Sequence, residues 1–425
     1  MLSALKNAFQ IADLRKKLLF TALMLVVYRL GSFVPVPGVN ASRLVDLFSQ
    51  SGNIFGVLDL FAGGNLSKFT VFALGVNPYI TSSIIVQLLT VVIPKLEELA
   101  KEGVEGRKKM AQYTRYGTVL LAVIQAYGTY LLISRAQLTG GLSAVINPGT
   151  LTTLLIITTL TAGSMFLMWL GEIISEFGIG NGISLIIFFG IVARMPAAAI
   201  QMVQSIGTGG LNVLSVLAFL VISVAIIAGV ILVQEGQRRV PVQYAKQMRG
   251  RKLYGGASTH IPLRVNQAGV IPVIFASSIL AFPLTILSYF PAAQRVARIF
   301  GYGSFWYNFI EVILIVFFTF FYTAISFNPI QVADNMKKYG GFIPGLRPGR
   351  PTAEYLERVL TRITLVGALF LAAIAVLPTI LTTIFRMRAF YFGGTSLLIM
   401  VGVALDTMRQ IEAHLLMRHY EGFIK

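Results

Sequence analysis

The chain has 425 residues, of which 56% are hydrophobic and only 12% charged, with a mean hydropathy of +0.76, whereas soluble domains carry about 25% charged residues; a soluble enzyme is excluded and a membrane protein is expected. Thirty-five Lys and Arg against 17 Asp and Glu leave a net charge of +18, so an acidic surface should lie outside the bilayer core: lipid headgroups, nucleic acid or an acidic protein. No cysteine is present, which rules out disulfides, thiolate metal sites and cysteine nucleophiles.

The chain opens with a polar stretch, MLSALKNAFQIADLRKK, whose Leu2, Leu5, Phe9 and Ala12 recur at helical spacing. It reads as an interfacial helix rather than a cleavable signal. A bilayer core about 30 Å thick needs roughly 20 mostly apolar helical residues per crossing. That window predicts ten spans, at 18–35, 71–93, 116–134, 151–171, 182–202, 212–233, 268–290, 306–327, 363–384 and 391–412. The runs lack the apolar/polar alternation of a membrane barrel, so they are read as helices.

Between the first two spans, the piece VLDLFAGGNLSKFTVF is too short and too broken by glycine to cross the bilayer. From composition alone it suits a re-entrant plug or a surface helix equally. Most Lys and Arg fall in the head, in 95–115, in 238–264, in 337–362 and in the tail. By the positive-inside bias, both termini are then cytoplasmic. One inside loop, Glu172 to Gly180, is acidic and goes against the pattern. Two others, 234–267 and 328–362, are longer than a connector requires.

Two echoes recur five spans apart. GVNPYI (Gly75 to Ile80) opens the second span and GVIPVI (Gly269 to Ile274) the seventh. In the fifth span, Gly182, Ser184, Leu185, Ile187 and Gly190 match Gly394, Ser396, Leu397, Ile399 and Gly402 of the tenth. An odd offset places matched segments in opposite directions through the membrane, as in inverted repeats that meet around a midplane site. Residues 1–210 and 211–425 are the expected halves. Pro78 and Pro272 free backbone groups that lipid cannot satisfy, which puts spans two, five, seven and ten at the centre.

The central spans offer no midplane Asp, Glu, Lys or His of the kind a coupled transporter uses. Glu311, Asp406, Arg29 and Arg194 lie towards span ends, and Gln87 and Gln125 are the main polar side chains within spans. What the echoed segments share is isoleucine, read singly as ordinary packing or jointly as a hydrophobic constriction. No Walker motif, metal cluster or Ser/His/Asp arrangement occurs, and FGIGNGIS has no βαβ context for a nucleotide loop. A small-solute transporter and an intramembrane enzyme are the competing classes; the second would need catalytic pairs within spans.

Longer text then carries a resemblance: LFAGGNLSKFTVFALGVNPYITSSIIVQLL, EGRKKMAQYTRYGT, GIGNGISLIIF, QRRVPVQYAKQM, STHIPLRVNQAGVIPVIFASSI, NPIQVADNMKKYGGFIPGLRPGRPT and FGGTSLLI. Over about residues 55 to 425 the chain resembles the SecY family of protein-conducting channels, fading at 136–150, 203–211 and 291–305. The resemblance implies an all-α integral membrane protein of ten transmembrane helices in two inverted pseudo-symmetric halves. The channel opens sideways between spans two and three and between spans seven and eight, passing unfolded secretory polypeptides and releasing transmembrane segments into lipid. It implies a pore ring of Ile80, Ile84, Ile183, Ile187, Ile274 and Ile399, and a plug of Leu58, Asp59, Leu60, Phe61, Ala62, Gly63, Gly64, Asn65 and Leu66 within about 55–70. The basic loops are expected to dock the SecA motor ATPase or ribosomal RNA through Arg238, Arg239, Lys246, Arg249, Arg251, Lys252 and Arg347. Gln125, Ser277 and Ser278 are lateral-gate candidates, with ordinary interhelical contacts as the alternative. SecE-like and SecG-like subunits, secretory and membrane-protein precursors and anionic lipids complete the expected partners. No cofactor is expected.

Overall fold

Irregular backbone sets where several helices begin. Gly75 adopts φ +60° and Gly269 φ +64°, a left-handed region open to glycine at no steric cost, and a proline follows each within three residues. Neither helix can therefore extend upstream. The second span starts at Asn77 rather than near 71, and the seventh at Ile271 rather than near 268. The echoed G-V-x-P text thus encodes one device used twice. The computed structural model describes residues 9, 11–40, 59, 62–135, 145–207, 213–244, 247–249, 252–254, 258–288, 299–301, 304–384 and 394–421.

Each of the ten expected spans coincides with a helix. In chain order these are α1 (Ala12–Gly31), α2 (Asn77–Val92), the short α3 (Pro94–Lys101), α4 (Val104–Arg135), α5 (Thr150–Phe177), α6 (Gly182–Val192) and α7 (Met195–Gly207). They continue with α8 (Val213–Glu235), α9 (Ile271–Ser288), α10 (Phe305–Ser326), the short α11 (Pro329–Lys338), α12 (Arg350–Ile384) and α13 (Gly394–Glu421). Among the described residues, six spans are each long and apolar enough to cross a membrane, and the pair α2 and α3, bent by 103°, makes a seventh if it is taken as one span. Three expectations need correcting. The first span begins at Ala12 rather than near 18, and Phe9, itself helical, is set off from it by a bend at Ile11, the rest of the stretch before Ala12 lying outside the described residues. The fifth span breaks between Val192 and Met195. Spans three and nine begin some turns earlier than hydropathy marks them, because a helix leaving the bilayer goes on in polar residues that a lipid window does not count.

The packing repeats with the five-span offset. Helix α4 sits against α2 and α5 as α10 sits against α9 and α12. Helix α1 lies on α5 and α6 as α8 lies on α12 and α13. The halves meet where α2 touches α9 and α6 touches α13. Apolar text does not mean burial here: α8 has the highest hydropathy of the spans, 3.2, yet only 17% of that window is buried. Val213, Leu214, Leu217, Val221 and Val224 point outwards, as side chains do whose solvent is lipid. The FGIGNGIS turn is structural. Gly180 adopts φ +88°, a Cβ on Gly182 would come within 2.0 Å of the Gly171 carbonyl oxygen, and Gln410 accepts from the Gly180 N–H at 2.8 Å.

The two long basic loops are not loose connectors. They share an antiparallel sheet in which β1 (Gln237–Tyr244) pairs along its length with β4 (Ser258–Arg264), and β5 (Gly341–Phe342) adds to its other edge at Gln243 and Tyr244. A second ladder joins β2 (Gln247–Arg249) to β3 (Lys252–Tyr254). Val240 and Val242 alternate inwards along β1 and pack with Leu263, Met336, Ile343, Leu356, Val359 and Leu360. The hairpin, α11 and the start of α12 thereby pack into one platform.

Candidate pore and docking surfaces

Among the described residues, the largest buried apolar cluster lies where the halves meet. It includes Ile80 and Ile84 from α2, Ile187 from α6, Ile274 from α9 and Ile399 from α13, all at 5% exposure or less, with Ile183 packed against it and partly buried. None of the six faces the outside of the bundle. Each lies in the first eight residues of its helix, and three of these helices start from irregular backbone: Gly75 before α2, Gly180 and Asn181 before α6, and Gly269 before α9. Non-helical backbone at membrane depth is tolerated where it is protein-buried or lines a wet cavity, not against lipid.

A segment of turns, residues 62–76, enters this region from the end of the bundle opposite the sheet, as the parity of the crossings requires. Its shape depends on glycine. Gly63 and Gly64 take φ +68° and +84°, and a Cβ on Gly63 would sit 2.6 Å from the Tyr28 hydroxyl and 2.9 Å from the Gly190 Cα. On the other side, a Cβ on Gly163 of α5 would approach the Val71 carbonyl oxygen to 2.0 Å, so only glycine lets α5 pack so closely. Phe69 is held at φ +46°, a conformation that costs a bulky residue about 1–3 kcal/mol. Its ring, 1% exposed, is retained by a second apolar cluster with Val36, Ala62, Leu74, Ala126, Ile133 and Leu160. Asp59 is anchored too: its carboxylate accepts from the Ser67 N–H at 2.9 Å and pairs with Arg194 at 3.0 Å. Asn65 donates to the Tyr28 hydroxyl at 3.3 Å and to the Ala62 carbonyl. Of the expected plug residues, Asp59, Ala62, Gly63, Gly64, Asn65 and Leu66 fall together here; Leu58, Leu60 and Phe61 lie outside the described residues.

The gate candidates are not brought together by hydrogen bonds among the described residues. Ser277 donates to the Ile274 carbonyl in its own helix at 3.0 Å, Ser278 is buried with its hydroxyl unpartnered, and Gln125 is half-buried on α4. A tie that sequence reasoning missed joins spans two and three: Ser82 donates to the Thr114 carbonyl at 2.8 Å across a contact where Gly117 leaves room for the hydroxyl. The missed signal was a serine and a glycine facing each other, an ordinary pattern of close helix packing in membranes.

On the platform, Arg238 and Arg239 are exposed on β1. Arg249 and Lys252 are register partners on the β2/β3 hairpin, while Lys246 and Arg251 lie outside the described residues. Arg347 is exposed in a turn built on Gly345 (φ +84°) and Gly349 (φ +104°), its carbonyl accepting from the Thr352 hydroxyl at 2.8 Å. Glu172 and Glu176, expected in an inside loop, belong to the last turns of α5, where Arg115 meets Glu172 with two contacts, at 3.0 and 2.8 Å. At the root of the hairpin, Arg409 of α13 donates to the Gln234 carbonyl at 2.7 Å and pairs with Glu235 at 3.0 Å.

Ten helical spans in two inverted halves, with a buried apolar cluster where the halves meet, make this an integral membrane protein of the channel class. The family model described as SecY matches residues 70–408. The protein translocase subunit SecY of Aquifex aeolicus is 47% identical over 425 residues, covering 99% of each chain. The chain belongs to the SecY family. Among solved structures it is similar in fold to a SecY channel described in terms of a plug domain that stabilises the closed state and maintains a membrane seal, with a TM-score of 0.63, 17% identity and coverage of 94% of this chain and 92% of that one. It is also similar to Sec61 in the canine ribosome-channel complex from the endoplasmic reticulum, with a TM-score of 0.61, 16% identity and the same coverage.

Proposed function

We infer that the chain is the protein-conducting channel of a Sec translocase in the cell membrane, passing unfolded secretory polypeptides across it and releasing transmembrane segments sideways into lipid. The observation that carries this reading is the waist: isoleucines from four spans of both halves converge in one buried cluster. Branched aliphatic side chains offer no fixed hydrogen bonds, so such a ring excludes water and ions by dewetting and still closes around a chain of any sequence. Ile80, Ile84, Ile183, Ile187, Ile274 and Ile399 form that ring, and the segment around Asp59 to Leu66 is the plug that covers it.

Both termini are cytoplasmic, since most Lys and Arg lie on that side, and the halves divide near residue 210. The channel supplies no energy. The SecA motor or the ribosome drives the polypeptide, docking on the basic platform through Arg238, Arg239, Lys246, Arg249, Arg251, Lys252 and Arg347 with salt-sensitive affinity. Small subunits resembling SecE and SecG assemble with it, and anionic lipids meet the excess positive charge. Sorting follows from exposure to lipid between spans two and three and spans seven and eight, where Gln125, Ser277 and Ser278 tune the opening. There an apolar residue gains about 0.3–0.6 kcal/mol at a helix centre and a charge loses about 2.5–3.5.

The test is reconstitution. Vesicles holding the chain and its small subunits should import an unfolded secretory precursor only when motor and ATP are added. Saturable uptake of a small solute by the chain alone, without precursor transport, would place it among transporters instead.

A further inference from the structure

We propose that Asp59 and Arg194 are the positioning pair that latches the re-entrant segment over the waist at rest. The inference rests on the plug reading above and adds to it what holds the plug in place. Asp59 is the buried end: its side chain is 4% exposed, it pairs with the Arg194 guanidinium at 3.0 Å, and its second oxygen accepts from the Ser67 N–H at 2.9 Å. Its own carbonyl accepts from the Gly64 N–H at 2.8 Å, so the carboxylate and the 63–64 glycine turn are one unit.

Arg194 is held from the other side. It lies in the break between α6 and α7, where its N–H bonds back to Ile191 and its carbonyl starts the next helix through Ala198. An unbroken fifth span would turn this residue with the helix; the break aims it at the segment, and its side-chain carbons lie along Gly64. Other contacts of the segment with α1 and α6 include a long hydrogen bond to Tyr28, the stacking of Phe72 on Tyr28 beside Gly31, and the glycine-to-glycine approach at Gly63 and Gly190. Those set shape, while the ion pair supplies an attraction that is lost when the segment moves off.

The pair is asymmetric, and that makes it testable. Arg194 is 37% exposed and remains hydrated if its partner goes. Removing Arg194 instead strands a carboxylate where water is scarce, the costlier change. Ion flux through the reconstituted complex, with its small subunits and no precursor, should rise several-fold with Arg194→Gln and less with Asp59→Asn. Arg194→Gln should add little in the Asp59→Asn background, and Arg194→Lys should stay tight, which separates loss of the charge from loss of the fold. Equal effects of Arg194→Gln in both backgrounds would overturn the latch. So would tight Arg194→Gln and Asp59→Asn channels alongside a leaky variant with the ring isoleucines changed to glycine. If that ring variant is tight as well, the plug and pore reading falls and takes the latch with it.

Discussion

The waist and the platform solve opposite problems with opposite chemistry. At the waist, four spans bring isoleucines into one buried apolar cluster, so the proposed ring would have shape without preference for the sequence of the chain it closes on. On the platform, strand ladders from two distant loops fix a surface on which Arg238, Arg239 and Arg347 stand exposed, so the proposed docking would be by charge and position. On the proposed function, selectivity would belong to the surface where partners dock, and indifference to the place where cargo passes. A conduit for many sequences needs that division.

The sharpest way to break the comparison is at the waist. Changing Ile80, Ile187, Ile274 and Ile399 together to glycine should raise the resting ion conductance of the complex in a planar bilayer on the order of tenfold or more, because shortened side chains let the constriction wet; unchanged conductance would remove these residues from the pore.

The platform should respond in a different currency. Reversing Arg238, Arg239 and Arg347 to glutamate should weaken motor or ribosome binding, measured by flotation or fluorescence titration, and each lost contact with an RNA phosphate should flatten the log–log salt dependence by about 0.7–0.9. An unchanged salt slope with ribosomes would mean these arginines face something else.

Between the regions, Gly163→Ala should destabilise the fold by about 1–3 kcal/mol through overpacking, since its Cβ would meet the Val71 backbone; thermal unfolding in detergent reads this directly, and a wild-type midpoint would show that the 62–76 segment can retreat. The smallest effect belongs to Glu172→Gln. Arg115 and Glu172 are 48% and 25% exposed, so water screens the pair and about 0.2–1 kcal/mol is expected from the same measurement.

Much of this fold could be read in advance because lipid imposes a length on every crossing. A helix lies at each of the ten windows, although several start elsewhere and the fifth is two helices, and the echoes five spans apart locate the four central helices, because glycine and proline punctuate a helix wherever they stand. Three things escaped that reading. The β1/β4/β5 sheet pairs residues about 100 positions apart, and text rich in Arg and Gln carries only a brief alternation at Val240 and Val242. The break in the fifth span is not visible in hydropathy, which averages across it. The Asp59–Arg194 pair joins two residues that singly look like loop charges near span ends.

The sequence by itself determined the solvent, the number of crossings, the pseudo-symmetry and the residues available for a greasy centre, since those follow from local composition and from rules that act within one helix. Tertiary structure alone decided which isoleucines share a cluster, that Gly163 and Gly63 allow backbone to meet backbone, and that a buried carboxylate finds its guanidinium 135 residues away. Contacts of that kind depend on how helices rotate and bend against one another, and no window along a chain records rotation.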